Sequence, residues 1–196
     1  LWTTPADRKQ LILFTLFGLL FNQICYLSAV RLTNAGTATV FQCLQLVVVM
    51  GYTCVTTHRL PRTREALGIL LALGGTFLIA TGGDPSTLNI SPMGLVAGLL
   101  CAVGGACMVI IPAGILNEYG SPVVTGSAML SAGIALSIFT QPWAHMPALE
   151  PSGIGALAVF IVVGSFFAYM FYMQGVKEIG SVRASLIGTM EPVSAT

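Results

Sequence analysis

The side chains with chemistry to offer are few, and their spacing groups them. Asn22 and Tyr26 lie four residues apart with Gln23 beside them, and Gln42 and Gln45 lie three apart. Further along come Tyr169, Tyr172 and Gln174, then Thr189 and one carboxylate, Glu191, followed directly by Pro192. On a helix, residues three or four apart share a face. Amides and phenols on such faces donate and accept hydrogen bonds, and the rings offer π-faces to planar or cationic solutes. They are not the partners that hydrolysis or group transfer requires. The sequence holds no Ser–His–Asp spacing, no metal-ligand cluster and no glycine-rich phosphate loop, and His58 and His145 fall in or beside loops. The expectation is a solute-binding protein that is not an enzyme and takes no cofactor and no metal.

The elements that must position these groups are apolar. Hydrophobic residues make up 55% of the chain and charged residues only 8%, where a soluble domain carries about a quarter charged. The net charge of +1 leaves no basic surface for nucleic acid. Runs of about 20 apolar residues match a bilayer core and recur along the whole length. The fold class is therefore all-α, a polytopic helical membrane protein whose first partner is the lipid bilayer. Six complete spans are expected at 11–30, 36–57, 66–83, 93–116, 122–143 and 153–176, with a seventh starting near 184 and cut at Thr196. The five cysteines all sit inside these runs and read as small apolar packers.

If the loops alternate, seven of the eight Lys/Arg residues fall on one side: Arg8, Lys9, Arg59, Arg62, Arg64, Lys177 and Arg183. Only Arg31 falls on the other. Positive charge is retained in the cytoplasm, so the loop holding Arg59, Arg62 and Arg64 is expected there. Small residues form strips for close helix packing: Gly94, Gly98, Ala102 and Gly105 on one span, Gly68, Ala72 and Gly75 on another. Pro112 lacks an N–H and should kink its helix near the cytoplasmic end.

The chain also repeats itself. A shift of 146 residues lays GLLFNQICYLSAVRLTNAGTATVFQCLQLV over GSFFAYMFYMQGVKEIGSVRASLIGTMEPV without a gap. Six identities result, including Gly18/Gly164, Tyr26/Tyr172 and Ala38/Ala184, and Gln45 falls opposite Glu191. The matched spans stand five apart, an odd number, so the two units must be inverted across the membrane. Inverted repeats place the site near the midplane where the units meet.

YLSAVRLTNAGTATVFQCLQLVV and MQGVKEIGSVRASLIGTMEPV resemble the paired signature of the EamA branch of the drug/metabolite transporter superfamily. TREALGILLALGGTFLIATGG is similar to the glycine-rich last helix of the first repeat. The chain departs from the pattern where Gln45-Leu46 replaces Glu-Pro. The resemblance implies two inverted five-span repeats, of which about seven spans are present. Residues 1–85 would be the last three spans of the first repeat, and 86–196 the second repeat cut in its fourth span. It further implies a multi-pass protein of the bacterial inner membrane that moves metabolites, amino acids or amphipathic drug-like solutes by alternating access, with export the expected direction. The alternative is a non-transporting membrane scaffold. Asn22, Gln23, Tyr26, Gln42, Gln45, Tyr169, Tyr172, Gln174, Thr189 and Glu191 are the expected cavity lining. No span supplies a Lys or Arg to hold phosphate, so sugar phosphates and nucleotide sugars are not expected substrates. Two roles for Glu191 stay open: a neutral carboxyl that settles the turn broken by Pro192, or a carboxylate that exchanges protons as the protein cycles. The oligomeric state is not legible.

Overall fold

The structure is a computed structural model, and it describes residues 4–84, 91–141 and 151–190. Every regular element in the described residues is helical. Helix α1 runs Pro5–Leu32, α2 Ala35–Thr57, α3 Thr63–Thr81, α4 Pro92–Tyr119 and α5 Ser121–Thr140. Helix α6 joins Pro151–Val159, Phe160–Phe167 and Ala168–Ile179 end to end, and α7 runs Ser181–Gly188. Stretches of five of these helices (α1, α2, α4, α5 and α6) are long and apolar enough to cross a membrane. Helix α3 adds nineteen residues, with Arg64 and Glu65 in its first turn. The chain is an all-α, multi-pass membrane protein. The expected spans are all found as helices, with ends displaced by several residues. Most begin earlier than the apolar run because a polar first turn, such as Pro5-Ala6-Asp7-Arg8, is already helical.

Three local features shape the helices. The middle of α1, Phe14–Phe21, is a π-helix, and so is Phe160–Phe167 of α6. Both ends of these segments differ by 146 in residue number. Helix α2 breaks at Leu44, whose N–H turns back to the Phe41 carbonyl at 3.0 Å. The Met190 N–H makes the same contact to the Ile187 carbonyl at 3.0 Å, ending α7. Helix α4 breaks at Ile111–Pro112, as the missing proline N–H requires. There the Gln10 amide of α1 donates to the Ile111 carbonyl.

Helix α4 is the post against which α1 and α2 pack. Its small residues permit this. A Cβ on Gly104 would stand 2.9 Å from Asn22 Cα, and one on Gly98 or Gly94 would collide with Phe41 or Thr33. Helix α1 returns the favour at Gly18, whose added Cβ would lie 2.9 Å from Met108 Cα. The α4 strip is thus a packing surface. The α3 strip is less so: Gly68 meets Leu186, but nothing among the described residues comes within 4 Å of Gly75.

The two ends of the bundle differ. Asp7 and Tyr119 join at 2.8 Å, and Arg183 meets the Arg62–Glu65 turn, so the cation-bearing loops share one end. Most of the large buried side chains among the described residues lie in that half, Phe41 against Gly98 being an exception. Leu11, Phe14, Leu116, Val124, Met173 and Val176 form one cluster, and Leu46, Val49, Met50 and Ile69 another. Among the described residues the opposite half has a smaller cluster, Ala29, Ala38 and Ala97 with Tyr26 and Val30 against it.

Candidate functional site

The space left by that asymmetry is a cavity of about 820 Å³ between α1, α2, α6 and α7. Eight of the ten expected side chains line it: Asn22, Gln23, Tyr26, Gln42, Gln45, Tyr169, Tyr172 and Thr189. It reaches from Ala35 and Gly36, at the cation-poor end of α2, to Gln45 and Thr189 beside the helix breaks. The two walls correspond by number. Asn22 and Ala168, Gln23 and Tyr169, Tyr26 and Tyr172, Gln42 and Gly188, and Cys43 and Thr189 are each one 146-residue shift apart, and all ten line the cavity.

The helices aim these groups by simple means. Asn22 is buried, with its Oδ1 3.7 Å from the Cys101 thiol of α4, which fixes the α1 face. The Cys43 thiol lies 3.4 Å from Thr76 Oγ1 and ties α3 to the wall. The Tyr172 hydroxyl reaches Ser185 Oγ at 3.5 Å. The lining among the described residues contains no Lys, Arg, Asp or Glu. It is a neutral surface of amides, hydroxyls and aromatic rings, suited to hold a solute by hydrogen bonds and π-contacts. No group of His, Cys, Asp and Glu among the described residues could hold a metal ion.

The profile of the EamA-like transporter family matches residues 1–81 and 92–196. The chain belongs to the EamA-like transporter family. It is similar to an uncharacterized inner membrane transporter, YicL, of Salmonella typhimurium, at 30% identity over 96% of the chain and 63% of that protein. It is also similar to two uncharacterized transporters of Bacillus subtilis. YcbK is 23% identical over 74% of the chain and 48% of its own length, and YyaM 28% over 66% and 44%. The chain thus spans less than two thirds of the length of these relatives. No solved structure matches it.

One expected site residue of this EamA chain, Gln174, does not line the cavity. Gln174 points along α6 and donates to Glu178 Oε1 at 2.7 Å, toward the cation-bearing end. Glu191 lies outside the described residues. The cavity also includes groups that the sequence reading did not single out: Thr39, Thr76, Ser165, Met108 and Phe160. Thr39 stands three residues before Gln42, and Ser165 four before Tyr169, so helical spacing alone could have found both.

Proposed function

We propose that the protein is a secondary transporter of the bacterial inner membrane that carries small zwitterionic or amphipathic solutes by alternating access. The cavity is the solute site, and two inverted units supply its walls. The observation that carries this reading is the matched lining: five pairs of positions 146 residues apart face one space. Two equivalent walls around a central site are what rocking units need, because each wall can close over the solute in turn. The absence of cations from the described lining favours net-neutral solutes over phosphates.

The test is flux in proteoliposomes loaded with a panel of amino acids and amphipathic amines. Tyr169→Ala and Gln42→Ala each remove one neutral contact of roughly 1 kcal/mol. Each variant is expected to raise the half-saturating concentration about fivefold while inserting normally. Leu130→Ala, on α5 away from the cavity and 67% exposed, should leave it unchanged. A protein that inserts correctly and moves no member of the panel would favour the scaffold reading.

A further inference from the structure

A second concavity, of about 740 Å³, opens at the cation-bearing end. Arg62 and Arg64 approach it from the start of α3, and Arg183 from α7, some 120 residues later in the chain. Glu65 is the one carboxylate in its lining among the described residues, and its charge is already spent. Arg59 grips it with two nitrogens at 3.1 and 3.3 Å, and the Arg62 N–H donates to it at 3.1 Å. Burial alone would raise the Glu65 carboxyl, but the Arg59 hydrogen bond, the Arg62 N–H and both guanidinium charges outweigh it and hold it below its ordinary value. It therefore stays ionised and committed to Arg59. Three guanidinium groups then share one pocket without an ion-pair partner among the described residues.

Like charges gathered from distant parts of a chain repel unless something anionic sits between them. The rim of this pocket is apolar. Leu60 is 87% exposed and Leu186 closes the other side. Below Arg64, the described residues leave Leu67, Leu71 and Leu78 of α3 uncovered, at 53%, 75% and 59% exposure. These three stand four and then seven residues apart, one stripe on the helix. At 1.5 Å per residue the stripe continues roughly 20 Å from Arg64 into the bilayer. A cationic pocket at the membrane surface, continuous with an apolar stripe across half the bilayer, has the two chemistries of one ligand.

We propose that Arg62, Arg64 and Arg183 form a binding site for the phosphate headgroup of an anionic phospholipid, whose acyl chains lie along the leucine stripe of α3. The site is independent of the solute cavity. Because α3 and α7 both contribute to it, a bound lipid bridges the helix after the break in α2 to the helix that closes the second wall. Basic pockets between helices on the cytoplasmic side take such headgroups, and the cation-bearing end is the side expected to face the cytoplasm.

The experiment is native mass spectrometry of the purified protein with added phosphatidylglycerol or phosphatidylcholine. Wild type is expected to retain phosphatidylglycerol preferentially, and millimolar inorganic phosphate should not displace it. The pair Arg62→Gln/Arg183→Gln should lower that preference about tenfold. The pair Arg8→Gln/Lys9→Gln removes the same charge from the same end outside the pocket and should lower it less than about twofold. Equal retention of both lipids would overturn the site. So would an equal loss in the two pairs, which would mean a diffuse surface charge. Displacement by inorganic phosphate would make it a free-anion site and overturn the lipid assignment. Should the glutamine pair fail to purify as a single species, Arg64→Gln and Arg183→Gln alone decide the matter. Each is expected to lower the preference about threefold, and no change in either overturns the site.

Discussion

At the scale of single residues, two adjacent glycines of α4 separate helix packing from the cavity lining. A Cβ on Gly104 meets the backbone of Asn22 at 2.9 Å, and a helix backbone cannot step aside alone. A Cβ on Gly105 meets the amide end of Gln45, which is free to turn. Gly104→Ala should therefore force α1 from α4 and lower stability by about 1–3 kcal/mol, read as a drop in melting temperature in detergent. Gly105→Ala should melt within a degree or two of wild type (about 0.5 kcal/mol) yet change solute affinity, because Gln45 is pushed within the cavity. Equal melting losses in the two would contradict this division. Much of the site was legible at this scale because an amide or phenol inside an apolar run is conspicuous. Thr39, Thr76 and Ser165 were not, since small hydroxyls are common in spans and return their hydrogen bond to the helix. The Thr39 hydroxyl, for one, donates to the Ala35 carbonyl at 2.8 Å. Gln174 does not line the cavity but donates to Glu178, four residues on along the same helix face.

At the scale of elements, the chain makes the same tight connection twice by different chemistry. Between α1 and α2, Asn34 is extended at φ −153°, and its side chain accepts the Thr37 N–H at 2.7 Å, capping the helix. The position one shift later is Gly180, at φ 85° and ψ 160°, a region open in practice to glycine alone. Asn34→Ala should cost about 1 kcal/mol, the usual worth of an N-cap, and Asn34→Ser should restore most of it. Gly180→Ala has no such remedy, and it should cost about 1–3 kcal/mol. Thermal melting of the three variants checks the order. A Gly180→Ala protein as stable as wild type would show that this turn has a second conformation within reach. The apolar runs and their connections were legible because bilayer thickness sets the one and turn residues mark the other. The π-helical segments were not, because Phe14–Phe21 and Phe160–Phe167 are ordinary apolar sequence with nothing in it to mark the wider winding. The break at Leu44 was equally silent, having no proline or glycine to announce it.

At the scale of the whole molecule, the decisive feature is where bulk is placed. The buried Leu, Phe, Met and Val side chains fill the cation-bearing half, and the Asp7–Tyr119 bond fastens its edge. The other half holds alanines and the cavity mouth at Ala35 and Gly36. Composition could not reveal this, because only the three-dimensional pairing of helices sorts large residues from small. Under the proposed function, solute would enter such a bundle from the cation-poor end, down to the breaks beside Gln45 and Thr189. The sidedness can be measured with Thr39→Cys, a cavity position on α2, in a background lacking the five native cysteines. A membrane-impermeant thiol reagent added from the face opposite Arg59, Arg62 and Arg64 should modify it. The same reagent sealed on the arginine side should reach it far more slowly, because the packed half stands between. A saturating transported solute should slow the reaction from the open face by filling the space beside Thr39. Modification that is faster from the arginine side would mean that the packed half is the one that opens.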